Sequence, residues 1–205
     1  MSRVRGRYPS TATFCAIGVQ LGVGLPLLAE PLRHATFRTY FFYYGLVVLV
    51  LPFALDWVAG EWLHPLQRLA VVAAPCAHAY GVLLQLYGRF SWWDVVTHGL
   101  SAGLLAAGAY LVVRSVTDGE SSEGRGWRLH GLPLAVVVVG GVGWEVYETL
   151  VPWLIVYGPL DTARDLVVDV LAWAVVARTH PVILGRTPTG VRRRLRALRR
   201  WSLER

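Results

Sequence analysis

Seven titratable side chains recur at helical intervals inside otherwise apolar sequence: Asp94 and His98, then Glu145 and Glu148, then Asp161, Asp165 and Asp169. Residues three or four apart share a helix face, so each set forms one polar line along its helix. Carboxylate oxygens with one imidazole suit Mg²⁺, Mn²⁺ or Zn²⁺. These carboxylates are six of the chain's thirteen acidic residues. In a low dielectric they do not all ionise unaided, and Arg164 with a protonated His98 offsets at most two charges. Three explanations stand: a bound divalent cation, carboxylates that share protons for a structural or transport role, or solvation at a membrane rim with hydrogen bonds between helices.

The elements that must carry these groups are membrane-length. The chain has 205 residues, 55% hydrophobic and 16% charged, with nine Trp, whereas soluble domains carry roughly 25% charged residues. Its mean hydropathy is +0.46. Six segments satisfy the rule that a span needs about 20 apolar residues: Thr11–Ala29, Thr39–Ala59, Leu66–Tyr87, Trp92–Val113, Leu132–Tyr157 and Leu160–Thr179. The expected fold is therefore all-α, a polytopic bundle of about six transmembrane helices. Residues 1–190 form that domain, and 191–205 form a basic interfacial tail. The arginines before Thr11 resemble a signal peptide, but the long apolar run and the Leu27-Leu28-Ala29 exit favour a first membrane helix. Connectors are short except the polar stretch Arg114–Gly131.

With six spans, sixteen of the twenty arginines fall on one side. The positive-inside rule then puts both termini in the cytoplasm of a cell whose plasma membrane holds the protein. In the tail, Val191, Leu195, Leu198 and Trp201 repeat at helical spacing between arginines. That pattern reads as an amphipathic helix on anionic lipid headgroups. A chain this apolar uses its +7 charge for topology and lipid contact, not for nucleic acid. Cys15 and Cys76 both lie in apolar segments and make no case for a disulfide.

Counting 1.5 Å per residue, Asp94 and His98 lie ~3 and ~9 Å below the outer surface. Glu145 and Glu148 lie ~10 and ~6 Å below it, and Asp161, Asp165 and Asp169 at ~3, ~9 and ~15 Å. His98, Glu145, Glu148 and Asp165 thus share one level, and each polar face must turn inward to avoid lipid.

Three blocks carry a family resemblance: Trp93-Asp94-Val95-Val96-Thr97-His98-Gly99, Trp144-Glu145-Val146-Tyr147-Glu148, and Asp161-Thr162-Ala163-Arg164-Asp165-Leu166. In order and spacing they resemble the YjdF-type family of small polytopic inner-membrane proteins, relatives in pattern of the VanZ-like proteins. The similarity covers roughly Tyr87 to Ala177. It implies a multi-helix membrane protein with no securely assigned activity. Two positions depart: Ala172-Trp173 replaces a Gly-Ala pair, and Asp169 stands where VanZ-like members often have Asn.

Weaker signals have plainer explanations. Gly99-Leu100-Ser101-Ala102-Gly103 matches a nucleophile-elbow pattern but lies within a membrane helix, where Gly99 and Gly103 form a packing face. Gly140-Gly141-Val142-Gly143 reads as close helix packing. Asp56 and Glu61 are expected to be solvated, His78 and Gln85 to hydrogen-bond within the bundle, and His34, His64, His130 and His180 show no ligand spacing. Three functions compete. In the first, a metal-dependent hydrolase or transferase acts on a lipid or lipid-linked headgroup. Asp94, His98, Glu145 and Asp165 hold the metal, Glu148 is the general base, Arg164 steadies an anionic headgroup, and Asp161 and Asp169 support the site. The second is a cation- or proton-coupled transporter, and the third a structural or accessory membrane protein.

Overall fold

A computed structural model describes residues 8–29, 38–59, 62–117, 125–150 and 158–185. Among these the chain is helical throughout, with no strand. The elements are α1 (Thr11–Ala29), α2 (Arg38–Ala59), α3 (Pro65–Leu83), α4 (Leu86–Arg89), α5 (Trp93–Thr117), α6 (Arg125–Leu150) and α7 (Pro159–Gly185). Four stretches are long and apolar enough to cross a membrane: Thr11–Ala29, Tyr40–Trp57, Trp93–Arg114 and Trp127–Leu150. Of the six spans expected, α3 and α7 fall outside this group. Gln67, Arg68 and His78 interrupt α3, and Asp161, Arg164, Asp165, Asp169 and Arg178 interrupt α7.

The boundaries differ from the expected ones where polar sequence is helical. The anticipated connector Arg114–Gly131 is largely helix, because α5 continues to Thr117 and α6 begins at Arg125. The third span stops early: Leu83 ends α3, Gln85 takes φ 56°, and α4 follows. At the other end α7 runs on through Pro181 to Gly185. Residues 151–157, the expected end of the fifth span, and the basic tail Val191–Leu203 lie outside the described residues.

The chain divides into two compact units, one holding the described residues up to Leu86 and the other Tyr87–Gly185. In the first, α1, α2 and α3 all pack against one another. Leu27, Phe41, Val48, Val72 and Ala79 form its apolar core. Gly24 lets α1 approach α2 closely, since a Cβ there would lie 2.6 Å from Leu49 Cδ2. Pro52 has no N–H for the carbonyl four residues back, Val48 O. Gln20 Nε2 donates to that carbonyl (3.1 Å) and to Leu49 O (2.9 Å). Its Oε1 accepts from Arg68, which also pairs with Asp56.

Asp56 is thus buried, contrary to the solvated position expected from sequence. It accepts the Leu63 N–H (2.7 Å) as well as the Arg68 ion pair. Arg68 is fully buried, with Phe53 beneath its guanidinium at 4.9 Å. The pairing offsets both charges where lone ones would be costly, although Arg68 Nε makes no hydrogen bond among the described residues. His64 caps α3 in a reciprocal box with Gln67, and His78 stacks on Tyr44 at 6.0 Å. Both cysteines are free, with Cys15 on an exposed face.

In the second unit α5, α6 and α7 are mutual neighbours. Asp94, His98, Ala102, Ala106 and Tyr110 follow one another at four-residue steps along α5. Ala102, Ala106, Tyr110, Val137 and Val176 form the apolar core, and small residues in the middle of the stripe let the helices close.

Candidate functional site

Asp94 lies in the first turn of α5, with His98 one turn on. Thr97, fully buried beside them, donates its hydroxyl to Asp94 O (2.8 Å). From α7 come Asp161, Arg164, Asp165 and Asp169, and from α6 comes Glu145. Three helices thereby converge on His98. Its Nδ1 lies 3.3 Å from Asp169 Oδ1, and its Nε2 lies 3.8 Å from Glu145 Oε1 and 4.0 Å from Asp94 Oδ1. Asp94, His98 and Asp165 each offer a ligand atom, and these atoms all fall within 4.8 Å of one another.

Burial separates this cluster from a solvated rim. His98, Glu145, Asp165 and Asp169 are 5%, 7%, 1% and 4% exposed. His98 Nε2 and Glu145 Oε1 are buried and make no hydrogen bond among the described residues. Such orphans are rare, because each gives up its water without a replacement. Asp169 meanwhile engages the other ring nitrogen of His98. A carboxylate on one imidazole nitrogen, with the other nitrogen buried and left without a hydrogen bond, matches the second-shell pattern of metal-binding histidines.

Arg164 is the local counter-charge. Its Nη2 reaches Asp161 Oδ1 (2.6 Å) and Asp94 Oδ2 (3.2 Å), and its Nε reaches Asp165 Oδ1 (3.2 Å). The arginine side chain is 40% exposed. It lines an open groove of about 630 Å³ with Leu160, Asp161, Ala163 and Val167.

The structure brings together Asp94, His98, Glu145, Asp161, Arg164, Asp165 and Asp169. Glu148 stands apart from this bonding network: it is half-buried and accepts from Trp144 Nε1 (2.7 Å) on its own helix. Counting paired Asp94 with Asp161 and His98 with Asp165. In the structure Arg164 bridges Asp94 to both Asp161 and Asp165, the ligand atoms of Asp94, His98 and Asp165 lie within 4.8 Å of one another, and His98 also meets Asp169 one turn further along α7.

Two features escaped the sequence reading. Gly141 is the point of closest approach between α6 and Asp169: a Cβ there would overlap Asp169 Oδ2. The expected close packing of the glycine run thus has a specific purpose, room for a carboxylate. His130 and His180, given no role by spacing, meet at Tyr110 beyond the apolar core. The Tyr110 hydroxyl and His130 Nδ1 share a 2.8 Å hydrogen bond, and His180 stacks on the Tyr110 ring at 4.7 Å. His180 donates its Nδ1 proton to Ala177 O (2.7 Å). The four-residue stripe through Ala102 and Ala106 to Tyr110 was the signal that linked this end to the acidic one.

Residues 15–185 match the model of a family described as predicted membrane protein, DUF2238. The chain belongs to that family. The match runs through the three site-bearing helices, and it agrees with the expectation of a polytopic membrane protein. No curated protein and no solved structure matches the chain.

Proposed function

We propose that the second unit holds a divalent cation at Asp94, His98, Glu145 and Asp165, and that the protein is a metal-dependent hydrolase or transferase acting on a lipid or lipid-linked headgroup. One observation carries this reading: two buried ligand atoms without a hydrogen bond, His98 Nε2 and Glu145 Oε1, face each other at 3.8 Å while Asp169 engages the far side of the imidazole. Mg²⁺, Mn²⁺ and Zn²⁺ fit a donor set of carboxylate oxygens and one nitrogen. Such an ion supplies Lewis acidity when bound. Glu148 lies one helical turn from Glu145, and we assign it the role of general base. Arg164 holds the anionic part of the substrate, with Asp161 and Asp169 fixing Arg164 and His98.

A lipid-facing setting is consistent with the exposure of Leu160 (86%) and Val167 (58%) beside the groove. The three blocks that resemble the YjdF-type family are the ones that supply these side chains. We further infer six crossings of the plasma membrane with both termini cytoplasmic. The basic tail then rests on anionic headgroups. Within the second unit, the carboxylates sit at one end and Arg114, Arg128 and Arg178 toward the other, which agrees with a cytoplasmic basic end. The runner-up, a cation- or proton-coupled transporter, needs a polar route inward. The buried layer of Ala102, Ala106, Val137 and Val176 favours a site closed on that side.

The test is the metal content of detergent-purified protein. Near-stoichiometric Mg²⁺, Mn²⁺ or Zn²⁺, lost in His98→Ala and Glu145→Gln, is the expected result. Protein that neither carries nor takes up any of the three ions would remove the reading.

A further inference from the structure

The proposed cation and Arg164 draw on the same carboxylates. Asp94 turns Oδ1 toward His98 (4.0 Å) and Oδ2 toward Arg164 (3.2 Å). Asp165, the third member of the ligand trio, accepts both Nε (3.2 Å) and Nη2 (3.3 Å) of Arg164 through one oxygen. A guanidinium thus supplies positive charge to two of the four groups that the dication would use. Two cations sharing such close oxygens repel each other, and the neutralised carboxylates then hold the arginine less strongly.

Arg164 has somewhere to go. Its side chain is 40% exposed, and its Nη1 takes part in none of the ion pairs described above. The groove it lines has apolar walls in Leu160, Ala163 and Val167. Leu160 and Val167 are among the most exposed apolar side chains of α7. A cationic fork at the mouth of an apolar groove complements an amphiphile with a phosphate head, and guanidinium binds phosphate in bidentate fashion.

Building on the metal reading above, we propose that Arg164 is a movable counter-ion: it pairs with Asp94, Asp161 and Asp165 in the cation-free site and passes to the phosphate of an anionic phospholipid headgroup when the cation binds. Cation and anionic lipid then bind cooperatively, and linkage makes the effect reciprocal. The headgroup is gripped more firmly beside a loaded metal site, and the metal more firmly beside a bound headgroup.

The experiment measures Mn²⁺ binding by electron paramagnetic resonance on the full chain in nanodiscs. The discs are either phosphatidylcholine alone or phosphatidylcholine with phosphatidylglycerol, for the wild type, Arg164→Gln and Arg164→Lys. In the wild type, phosphatidylglycerol is expected to tighten Mn²⁺ binding about tenfold, within the usual range of coupling between sites. Arg164→Gln is expected to bind Mn²⁺ about tenfold more tightly than the wild type in phosphatidylcholine, because its competitor is gone, and to lose the additional response to phosphatidylglycerol. Arg164→Lys keeps the charge without the fork and is expected to recover part of the coupling. Accumulation of Mn²⁺ at a charged bilayer affects all three proteins alike, so only the difference between them counts. Equal responses in wild type and Arg164→Gln would overturn the counter-ion proposal and leave the metal site standing. A full response to inorganic phosphate in phosphatidylcholine discs would overturn the lipid assignment in favour of a soluble anion. No Mn²⁺ binding by any of the proteins in any disc would overturn the metal reading itself.

Discussion

Asp169 and His98 divide the work of the pocket between two ring nitrogens. Nδ1 faces Asp169 at 3.3 Å, and Nε2 faces Glu145 at 3.8 Å and Asp94 at 4.0 Å. Carboxylates on both sides of the ring call for positive charge between them, which a proton on the imidazole or a dication at Nε2 supplies. Removing an outer carboxylate of this kind lowers metal affinity by about 10–100-fold. Asp169→Asn is expected to weaken metal binding by that amount in a calorimetric titration while the protein remains folded. Gly141→Ala is expected to shift affinity in the same direction with Asp169 intact, because its methyl would take the space of Asp169 Oδ2. Titrations of both variants that match the wild type would show that Asp169 does not support His98. Sequence spacing disclosed the acidic faces and their convergence. It did not disclose that Asp169 is the partner of His98, since the VanZ-like pattern pointed away from it and depth counting put it ~6 Å too deep.

Among the elements, the apolar runs α1, α2, α5 and the body of α6 were legible because length and composition are what a bilayer selects. The ends were not. Helix continues wherever backbone hydrogen bonds can be made, so α5 and α6 reach into polar sequence that hydropathy assigns to a connector. The first unit shows why a charged residue is a poor guide to a helix end. Arg68 was counted with the cytoplasmic arginines, yet it is buried against Asp56 and Gln20. Nothing local in sequence announces that pairing, because the three residues come from α3, α2 and α1. Arg68→Met leaves Asp56 buried with an unpaired charge, and breaking such a pair from one side costs roughly 3–5 kcal/mol. Arg68→Met with Asp56→Leu removes both charges and is expected to regain most of that loss. Thermal unfolding in detergent checks this. A double variant no more stable than Arg68→Met would mean that the packing around Phe53 and Gln20, not charge pairing, holds these helices together.

At the scale of the molecule, the question is how many helices cross. Composition alone admits four, while the proposed topology has six. The disagreement rests on α3 and α7, and in both some of the polar residues that lower hydropathy are turned inward: Arg68 is fully buried, and Asp165 and Asp169 are 1% and 4% exposed, while Arg164 and Arg178 of α7 stay exposed. Lipid does not meet the buried charges, so their effect on mean hydropathy overstates their cost in the membrane. At 1.5 Å per residue, α3 is ~29 Å long and α7 ~41 Å, about the thickness of the hydrocarbon core and more. Single cysteines placed in a Cys15→Ser, Cys76→Ser background report the sidedness. Reporters at His64 and Phe90 flank α3 and α4, those at Trp127 and Gly158 flank α6, and those at Gly158 and Gly185 flank α7. A membrane-impermeant maleimide applied to intact cells is expected to label Phe90 and Gly158 and to spare His64, Trp127 and Gly185 until the cells are opened. Labelling of both members of a pair from outside would return that helix to one leaflet, and for α7 it would place both the acidic pocket and the Tyr110–His130–His180 cluster on the same side of the bilayer.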